Sequence, residues 1–317
     1  MVDPKRSFTV TVMAVAALVL VIAGQVHATN VNPFTDLGSA GPSNWQILTL
    51  GGCSAGSCDK ATTNVTVANF SSVDGNVGVA PSGNLSVVQA TDGEVYGNAS
   101  VYSHGTVGNI YDISGTISQS SATDTLLDNA ATAAMKAYND AAGDSATSVT
   151  CSGTGCSTTN IVNPSGAITI TGGSGLNVID LTNLELNSGS ESLTLSAPSN
   201  GYFVINVSGT FSVGSSSAAG DILVAGGLSQ ANVLYNVEGT GSAVAFTGSW
   251  YGTDVQGIVL APYRDIALNG ATVDGEVISG NLNLTINYSN VDIPEPATLL
   301  LLTTGLAGLG LRIRRRS

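Results

Sequence analysis

Charged residues are scarce in this sequence, and basic ones are the scarcest. Lys, Arg, Asp and Glu make up 10% of the 317 residues, against about 25% in an average soluble domain. Nine residues are basic and 22 are acidic, which gives a formal net charge of −13. Nucleic-acid binding needs clustered basic side chains, and a coiled coil needs many charged residues at helical spacing. Both classes of protein are therefore excluded.

Aromatic residues (5%), histidine (2) and cysteine (4) are also few, whereas glycine is abundant, with 39 positions. Hydrophobic residues make up 43% of the chain and the mean hydropathy is +0.28. A chain this apolar is not intrinsically disordered. The composition indicates a β-rich, weakly charged body of the kind found outside cells.

The N-terminus has the features of a secretory signal. Lys5 and Arg6 precede an apolar run from Val10 to Gly24, and small residues end at Ala28. We predict a signal peptide over 1–28 that is cleaved after Ala28. The alternative is an uncleaved anchor, but the run is short for the ~20 residues that span a bilayer.

The C-terminal segment 292–317 begins with Pro294, Glu295 and Pro296, and an apolar stretch from Ala297 to Leu311 follows. About fifteen apolar residues can just cross a bilayer, and a basic end would stay on the cytoplasmic side. That basic membrane stop consists of Arg312, Arg314, Arg315 and Arg316. A plain transmembrane anchor is one interpretation.

The order of these three features closely resembles the PEP-CTERM sorting signal of Gram-negative bacteria. The resemblance implies an exosortase-type processing enzyme as a partner and transient anchoring in the inner membrane. It also implies a final location at the cell surface or outside the cell.

Only Lys60, Lys136 and Arg264 are basic once both ends are set aside. With three basic and 20 acidic residues remaining, the body carries a net charge of about −17. Such a surface keeps an exported protein soluble and repels nucleic acids and anionic membranes.

The cysteines form two closely spaced pairs, Cys53/Cys58 and Cys151/Cys156. An exported chain meets an oxidising compartment, so disulfides are expected. Four cysteines allow three connectivities; pairing within each short loop is the simplest, and cross-pairing would join two distant segments. Zinc is disfavoured because all-cysteine sites usually have two-residue gaps.

Short glycine-containing motifs recur at a spacing of 18 residues. Eighteen residues at ~3.3 Å each give a contour of about 60 Å, enough for a triangular coil of three short strands. We predict a mainly β fold over 29–291, a right-handed parallel β-solenoid with about 18 residues per coil, apolar residues inside and glycine at the corners. An ordinary β-sandwich is the alternative. The motifs are Asn236-Val237-Glu238-Gly239, Asp254-Val255-Gln256-Gly257, Thr272-Val273-Asp274-Gly275, and the pair Asp74-Gly75 and Asp92-Gly93.

Residues 123–142 interrupt this pattern with an Ala-rich helical stripe. Ser121 or Thr123 can cap the start of this helix, and Gly143 can end it. Because small residues allow close packing, we predict that the helix lies along the solenoid; a partner-binding helix is the alternative. The stripe consists of Leu126, Ala130, Ala133, Ala134, Ala137, Tyr138 and Ala141.

Two families are similar to this body. Leu193–Pro198, Gly257–Pro262 and Asn269–Gly275 resemble the choice-of-anchor A domain of exported bacterial surface proteins. Asp36–Ala40, Gly75–Pro81 and the Ala-rich helix resemble the ice-binding-like β-solenoid family. The second resemblance implies a discontinuous solenoid with a helix alongside, and neither resemblance supplies a catalytic motif.

The sequence offers little for catalysis. His104 is the only histidine of the mature chain. Gly52-Cys53-Ser54-Ala55-Gly56 matches a nucleophile elbow, but no helical stripe follows it, as an elbow requires. A polysaccharide lyase would need more basic residues than the body has, and no spacing singles out a glycosidase carboxylate pair. We therefore predict no enzymatic activity, with a polysaccharide-active β-helix enzyme as a minor alternative.

No cofactor or metal site is predicted. Asp74, Asp92 and Asp274 each precede a glycine, which leaves calcium as a weak alternative. However, no EF-hand or Gly-rich nonapeptide tract is present. Solvated turn carboxylates are the simpler interpretation.

Two functions remain. An ice-binding face would show repeated Thr-x-Thr motifs, and outside the helix only Thr169-Ile170-Thr171 occurs. Polar outward faces and the sorting signal favour an exported adhesion or matrix protein. Its expected partners are extracellular polysaccharide or other surface proteins, with a role in biofilms.

Overall fold

The computed structural model describes residues 30–51, 53–54, 57–58, 63–79, 84–87, 93–101, 105–108, 112–189, 191–248, 252–280 and 283–292. The chain divides into two compact units, Met1–Asn30 and Val31–Ser317. The fold described below belongs to the second unit. The predicted signal segment 1–28 and the sorting segment after Asp292 lie outside the described residues.

The first part of this unit contains a short helix, α1 (Pro33–Leu37), a 3-10 turn (Gly38–Ala40) and eleven described strands. The strands are β1 (Ile47–Thr49), β2 (Cys53–Ser54), β3 (Ser57–Cys58), β4 (Asn64–Ala68), β5 (Ser72–Val73), β6 (Val77–Val79), β7 (Asn84–Val87), β8 (Glu94–Val95), β9 (Ala99–Val101), β10 (Thr106–Gly108) and β11 (Ile117–Ser118).

A long helix, α2 (Ser121–Gly143), separates these strands from the second part, in which a 3-10 turn (Gln230–Asn232) precedes β21. The strands of the second part are β12 (Thr150–Ser152), β13 (Ile161–Val162), β14 (Ala167–Thr171), β15 (Gly175–Leu181), β16 (Leu184–Leu186), β17 (Glu191–Ser196), β18 (Gly201–Val207), β19 (Phe211–Val213), β20 (Gly220–Ala225), β21 (Val233–Val237), β22 (Val244–Thr247), β23 (Thr253–Ala261), β24 (Ile266–Asn269), β25 (Ala271–Ser279), β26 (Asn283–Asn287) and β27 (Asn290–Asp292).

Parallel pairing arranges these strands into three faces. Strands β23 and β25 are long enough to bend around a corner and contribute to two faces each. Face A consists of β15, β18, β21, the second halves of β23 and β25, and β1, β6, β9 and β11. Face B consists of β14, β17, β20, the first halves of β23 and β25, and β27, β5 and β8. Face C consists of β13, β16, β19, β22, β24, β26, β4, β7 and β10.

The order of strands within each face is discontinuous in sequence. On face A, β1 lies between β25 and β6. On face C, β4 lies between β26 and β7, and on face B, β5 lies between β27 and β8. The chain therefore begins in the middle of the stack, winds to one end at β11, crosses through α2, and winds back from β12 to the middle. The predicted mainly β fold with one helix alongside is confirmed.

The predicted coil length of 18 residues is wrong as a general rule. Asn269 and Asn287 are in-register neighbours 18 residues apart, but Asp221 and Asp254 are 33 apart. Asn236 pairs with Leu260 and not with Asp254, so the first predicted repeat is out of register. The corners accept loops of different lengths, and only consecutive short coils keep a fixed spacing.

Alternation along each strand produces the core. On face B, one inward row is apolar in every coil and almost fully buried, and each such aliphatic side chain contributes about 1.5–3 kcal/mol. The predicted inward apolar and outward polar alternation is confirmed on face B, but on face A the outward side chains that meet α2 are also apolar. The row is Ile168, Leu193, Ile222, Val255, Val273, Val291, Val73 and Val95.

Glycine is required where β23 and β25 turn the corner between faces B and A. Gly257 has φ +135° and pairs with Gly275. A Cβ added at Gly275 would lie 1.9 Å from the carbonyl oxygen of Gly257. No other residue fits there without moving the backbone.

Helix α2 extends beyond the predicted 123–142. Its N-cap is Ser120, whose hydroxyl accepts a hydrogen bond from the Thr123 amide. The predicted caps at Ser121 and Thr123 are therefore wrong. Leu126 was assigned to the packing stripe but is 45% exposed, and Leu127 is buried in its place.

Both cysteine pairs form local disulfides, as the simplest connectivity predicted. Cys53–Cys58 joins β2 to β3, and Cys151–Cys156 closes the loop after β12. The five-residue separation in each case explains why neither bond ties distant coils together.

Candidate binding faces

Face A is closed to ligands because α2 and α1 cover it. Its outward apolar side chains pack against the buried alanines of α2. Two asparagines of face A also hold the helix: Asn206 donates to the Ala141 carbonyl at 2.9 Å and Asn236 donates to the Tyr138 carbonyl at 3.3 Å. The packing position predicted for the helix is confirmed, and the outward residues concerned are Val178, Val204, Leu234, Ile258, Ile278 and Leu48.

The two described basic residues of the body are both engaged. Arg264 is 2% exposed and donates to the carbonyls of Ser208, Gly209, Glu238 and Gly239, which join the corners of successive coils. The exposed Lys136 pairs with carboxylates of α1 and α2, at 2.6 and 2.7 Å. Lys60 lies outside the described residues. Neither Arg264 nor Lys136 is placed to bind an anionic sugar.

Face B presents a concentration of carboxylates. Asp221 and Asp254 are neighbours in one outward row, and Asp274 and Asp292 are neighbours in the next. Gln256 belongs to the second row, where it pairs with Asp274, and its amide donates to Asp254 and Asp274, each at 3.4 Å. These parallel ladders place like charges about 4.8 Å apart.

This crowding shifts the ionisation of face B. Burial, and then the negative charges of Asp274 and Asp221, raise the pKa of Asp254 to about 6. Burial, followed by the charges of Asp274 and Asp74, also raises the pKa of Asp292. Face B therefore disfavours any further negative charge brought to its surface.

The carboxylates do not form a chelating site. Across the described ranges, no group of three or more His, Cys, Asp or Glu side chains is arranged to hold a metal ion. Asp274 lies on β25, Asp74 directly follows β5, and Asp92 is outside the described residues. No calcium site is assembled from the described members of that set.

The strands in the middle and at one end of face C carry no charged outward side chain. The carboxylate of Asp265, directly before β24, borders them and accepts a hydrogen bond from the Asn283 backbone amide at 2.9 Å. The outward side chains of β24, β26, β4, β7 and β10 are amides, hydroxyls and small groups, and hydrogen bonds connect many of them from coil to coil. Asn84 donates to Asn64 at 2.9 Å, and Asn287 donates to Asn269 at 2.8 Å. The outward residues are Ala267, Asn269, Asn283, Thr285, Asn287, Asn64, Thr66, Ala68, Asn84, Ser86, Thr106 and Gly108.

The residues of face C were not found as a group by sequence analysis. Thr285 pairs with Thr66, and Thr66 with Ser86, so one hydroxyl row crosses from the last coil to the first. Thr66 and Thr285 are too far apart in the chain for any Thr-x-Thr pattern to reveal the row. Thr169 likewise pairs with Thr194 on face B, a repeat hidden by an irregular coil length.

The residues considered for catalysis are not brought together by the described structure. The Cys53 sulfur is bonded to Cys58 and is no nucleophile. His104, Gly52, Ala55 and Gly56 lie outside the described residues. A cavity of about 550 Å³ beside α2 is lined by Lys136 and Asp140, which already pair with each other.

Comparison with known families identifies this architecture. The family model of the ice-binding-like adhesive domain matches residues 17–291. The chain belongs to this family. A second model, the PEP-CTERM protein-sorting motif, matches residues 292–316 and includes the predicted Pro294, Glu295 and Pro296. No curated protein sequence matches the chain.

Solved structures agree on the fold of this ice-binding-like adhesive domain. It is similar to a glycosylated ice-binding protein, LeIBP, from an Arctic yeast, with a TM-score of 0.50 and 20% identity over 82% of this chain and 94% of that one. It is also similar to a domain of an ice-binding protein from Shewanella frigidimarina, with a TM-score of 0.50 and 14% identity over 82% and 97%. At these identities the likeness establishes the fold alone.

The sorting motif implies export toward the cell surface of a Gram-negative bacterium and processing by an exosortase-type enzyme. The motif and the basic residues Arg312, Arg314, Arg315 and Arg316 lie outside the described residues, as does Ala28. Within the described part of the adhesive domain, no helix combines the length and apolarity that a bilayer crossing requires.

Proposed function

We propose that this adhesive domain is a non-enzymatic module of the cell surface or extracellular matrix that binds exopolysaccharide. The observation that carries the proposal is the part of face C from β24 to β10, where the outward strand residues carry no charge and amide and hydroxyl groups repeat from coil to coil. Those groups are the donors and acceptors that complement sugar hydroxyls.

Rigidity favours this use of face C. Side-chain ladders hold Asn84 against Asn64 and Asn287 against Asn269. Groups fixed before binding lose little conformational entropy when a ligand arrives. Because the pattern repeats, a polymer can engage several coils together, and weak contacts then add up to useful avidity.

The absence of enzymatic activity is part of the proposal. Glycoside hydrolysis needs one carboxyl group as an acid and a second at a defined distance across the bond. The carboxylates of face B instead form a ladder with amide bridges, and the described basic residues are engaged elsewhere. This arrangement suits a binding surface better than a catalytic one.

Co-sedimentation with the host's own exopolysaccharide tests the proposal, using the exported protein purified from culture. We expect binding that weakens at least fivefold in Thr285→Asp, which puts a carboxylate on face C. The matched control is Thr171→Asp, an exposed hydroxyl on face B that pairs with Ser196 and Thr150 and should leave binding unchanged. Failure of the wild-type protein to bind this polymer would overturn the proposal.

Ice binding is a second candidate, favoured by the hydroxyl row Thr285–Thr66–Ser86 on a regular parallel sheet. Thermal hysteresis and inhibition of ice recrystallisation are its measurements. Activity in the wild-type protein that disappears in Thr66→Asp would place this function ahead of polysaccharide binding. Normal crystal growth in the presence of the wild-type protein would exclude it.

A further inference from the structure

Two aromatic rings, those of the exposed Phe70 and the partly buried Tyr288, lie at the corner between faces C and B, where the last coil meets the first. The rings of Phe70 and Tyr288 are stacked, with centroids 6.3 Å apart and planes inclined by 27°. Phe70 is 53% exposed. Aromatic residues are only 5% of the chain, so a stacked pair on the surface is an unusual use of them.

The backbone at this corner is left-handed, a conformation that large side chains avoid. Tyr288 has φ +50°, Asn69 has φ +53° and Phe70 has φ +60°. The preceding coil places a glycine at the equivalent point, because Asn269 and Asn287 are paired and Gly270 follows Asn269 with φ +76°. Tyr288 takes the place of this glycine in the next coil, and Asn69 takes it in the coil after that, with Phe70 directly following.

The burial of Phe70 differs from that of the aromatic residues of the core. Phe70 is more than half exposed, whereas the core aromatics Phe211 and Phe246 are almost fully buried. Strained backbone conformations are often found at ligand-binding positions. This corner combines such a backbone with an exposed aromatic ring.

The surroundings of the rings are polar and uncharged. Asn69 donates to Asn287, which in turn donates to Asn269 at 2.8 Å, so three amides form a fixed row beside the rings. The hydroxyls of Thr66 and Thr285 lie in the next outward row of face C. On the other side, face B begins, with Asp74 and Asp292.

We propose that Phe70 and Tyr288, with the amide row of Asn69, Asn287 and Asn269, form a platform for an uncharged polysaccharide. This inference deepens the proposed function and rests on it. A pyranose ring has an apolar C–H face, which stacks on an aromatic ring, and a hydroxyl edge, which amides can hydrogen-bond. The neighbouring carboxylates of face B repel polyuronates and other anionic polymers.

Affinity electrophoresis of the exported protein tests the platform, in gels that contain dextran, mannan, a soluble β-glucan or alginate. We expect retardation by at least one neutral polymer and none by alginate. Phe70→Gly and Tyr288→Gly should each raise the dissociation constant at least tenfold. Because glycine relieves the left-handed backbone, their melting temperatures should not fall.

Two further variants make the assignment specific. Phe70→Trp keeps a stacking ring and should retain binding. Tyr96→Ala removes another exposed aromatic residue, 54% exposed and located next to β8 of face B, and should leave binding unchanged.

The outcomes separate the platform from the broader function. Binding by the wild-type protein that survives both glycine substitutions would overturn the platform while leaving polysaccharide binding in place. A loss of binding in Tyr96→Ala equal to that in Phe70→Gly would also overturn it. No retardation by any neutral polymer, together with no binding to the host exopolysaccharide, would refute the proposed function itself.

Discussion

Asp254 occupies the most crowded position of face B. Burial and two neighbouring carboxylates raise its pKa from 3.8 to about 6. The folded protein therefore keeps the proton to higher pH than the unfolded chain does. The stability linked to this proton is complete below the unfolded pKa and is lost as pH rises through about 6.

Asp254→Asn should consequently raise the melting temperature at pH 7.5 and leave it nearly unchanged at pH 3.5. We expect a gain of roughly 2–4 °C, a modest value because partial exposure screens the repulsion. Thermal denaturation followed by circular dichroism at the two pH values measures the difference. Glu185→Gln, an acid on face C, is the matched control. An equal gain at both pH values would contradict the electrostatic explanation.

Glu276 also has a raised pKa, and its side chain is more deeply buried than that of Asp254. It is fully buried, and within the described part of the chain neither carboxylate oxygen has a hydrogen-bond partner. Burial raises the pKa of Glu276 well above its usual value. The sequence could not indicate this, because Glu276 is buried only through the register that places it beside Ile258.

Single residues were hardest to predict from sequence wherever burial depends on distant coils. Arg264 was counted only as one of three basic residues, but it holds four carbonyls from two other corners. The disulfides were predictable because their partners are local. The left-handed backbone of Phe70 and Tyr288 could not be predicted from sequence, because large side chains usually avoid that conformation.

Among the elements, α2 was the most predictable, because its stripe depends on neighbours three and four residues apart. The predicted stripe was still wrong in one place, because it put Leu126 on the buried side of the helix, where the structure has Leu127. Two adjacent leucines fit the pattern almost equally well, and only the surface of face A decides between them. The cap was missed because Ser120, Ser121 and Thr123 all have a suitable hydroxyl.

Helix α2 also provides a sharp test of packing. Ala141 is fully buried against face A, whereas the next residue, Ala142, is exposed. Ala141→Leu should destabilise the protein by about 1–3 kcal/mol, because the added atoms have no space. Ala142→Leu should change stability by less than about 0.5 kcal/mol. Urea denaturation of both variants measures the contrast, and similar losses would show that α2 does not pack tightly on face A.

The presence of strands could be predicted from the sequence, but which strands pair with each other could not. Alternating apolar and polar residues predict a strand with one buried side, and most strands follow this pattern. Coil length varies because the corners vary, so pairing between Asp221 and Asp254 has no local signal. Neither face C nor the acidic ladder of face B could be assembled before the register was known.

For the whole molecule, the decisive feature is the junction between the last coil and the first. Leu284 and Ile286 of β26 pair with Val65 and Val67 of β4, and all four side chains are almost fully buried. Inward contacts therefore run without interruption from one half of the stack to the other. The two halves are expected to unfold together.

Ile286→Ala should test this coupling, at a cost of about 2–5 kcal/mol. In a Trp250→Phe background, fluorescence reports on Trp45 alone, which is buried in the first part of the chain. We expect the Trp45 transition and the circular dichroism transition to move to lower temperature together. Separate transitions for the two signals would show that the halves are independent.

The same junction constrains the order of events during biosynthesis. Strands β1, β4 and β5 obtain their partners on one side only from β25, β26 and β27, which are synthesised more than two hundred residues later. The segment that completes the fold is thus synthesised long after the strands with which it pairs, and the sorting motif follows it directly. Strands β1, β4 and β5 therefore keep one open edge until β25, β26 and β27 have been synthesised.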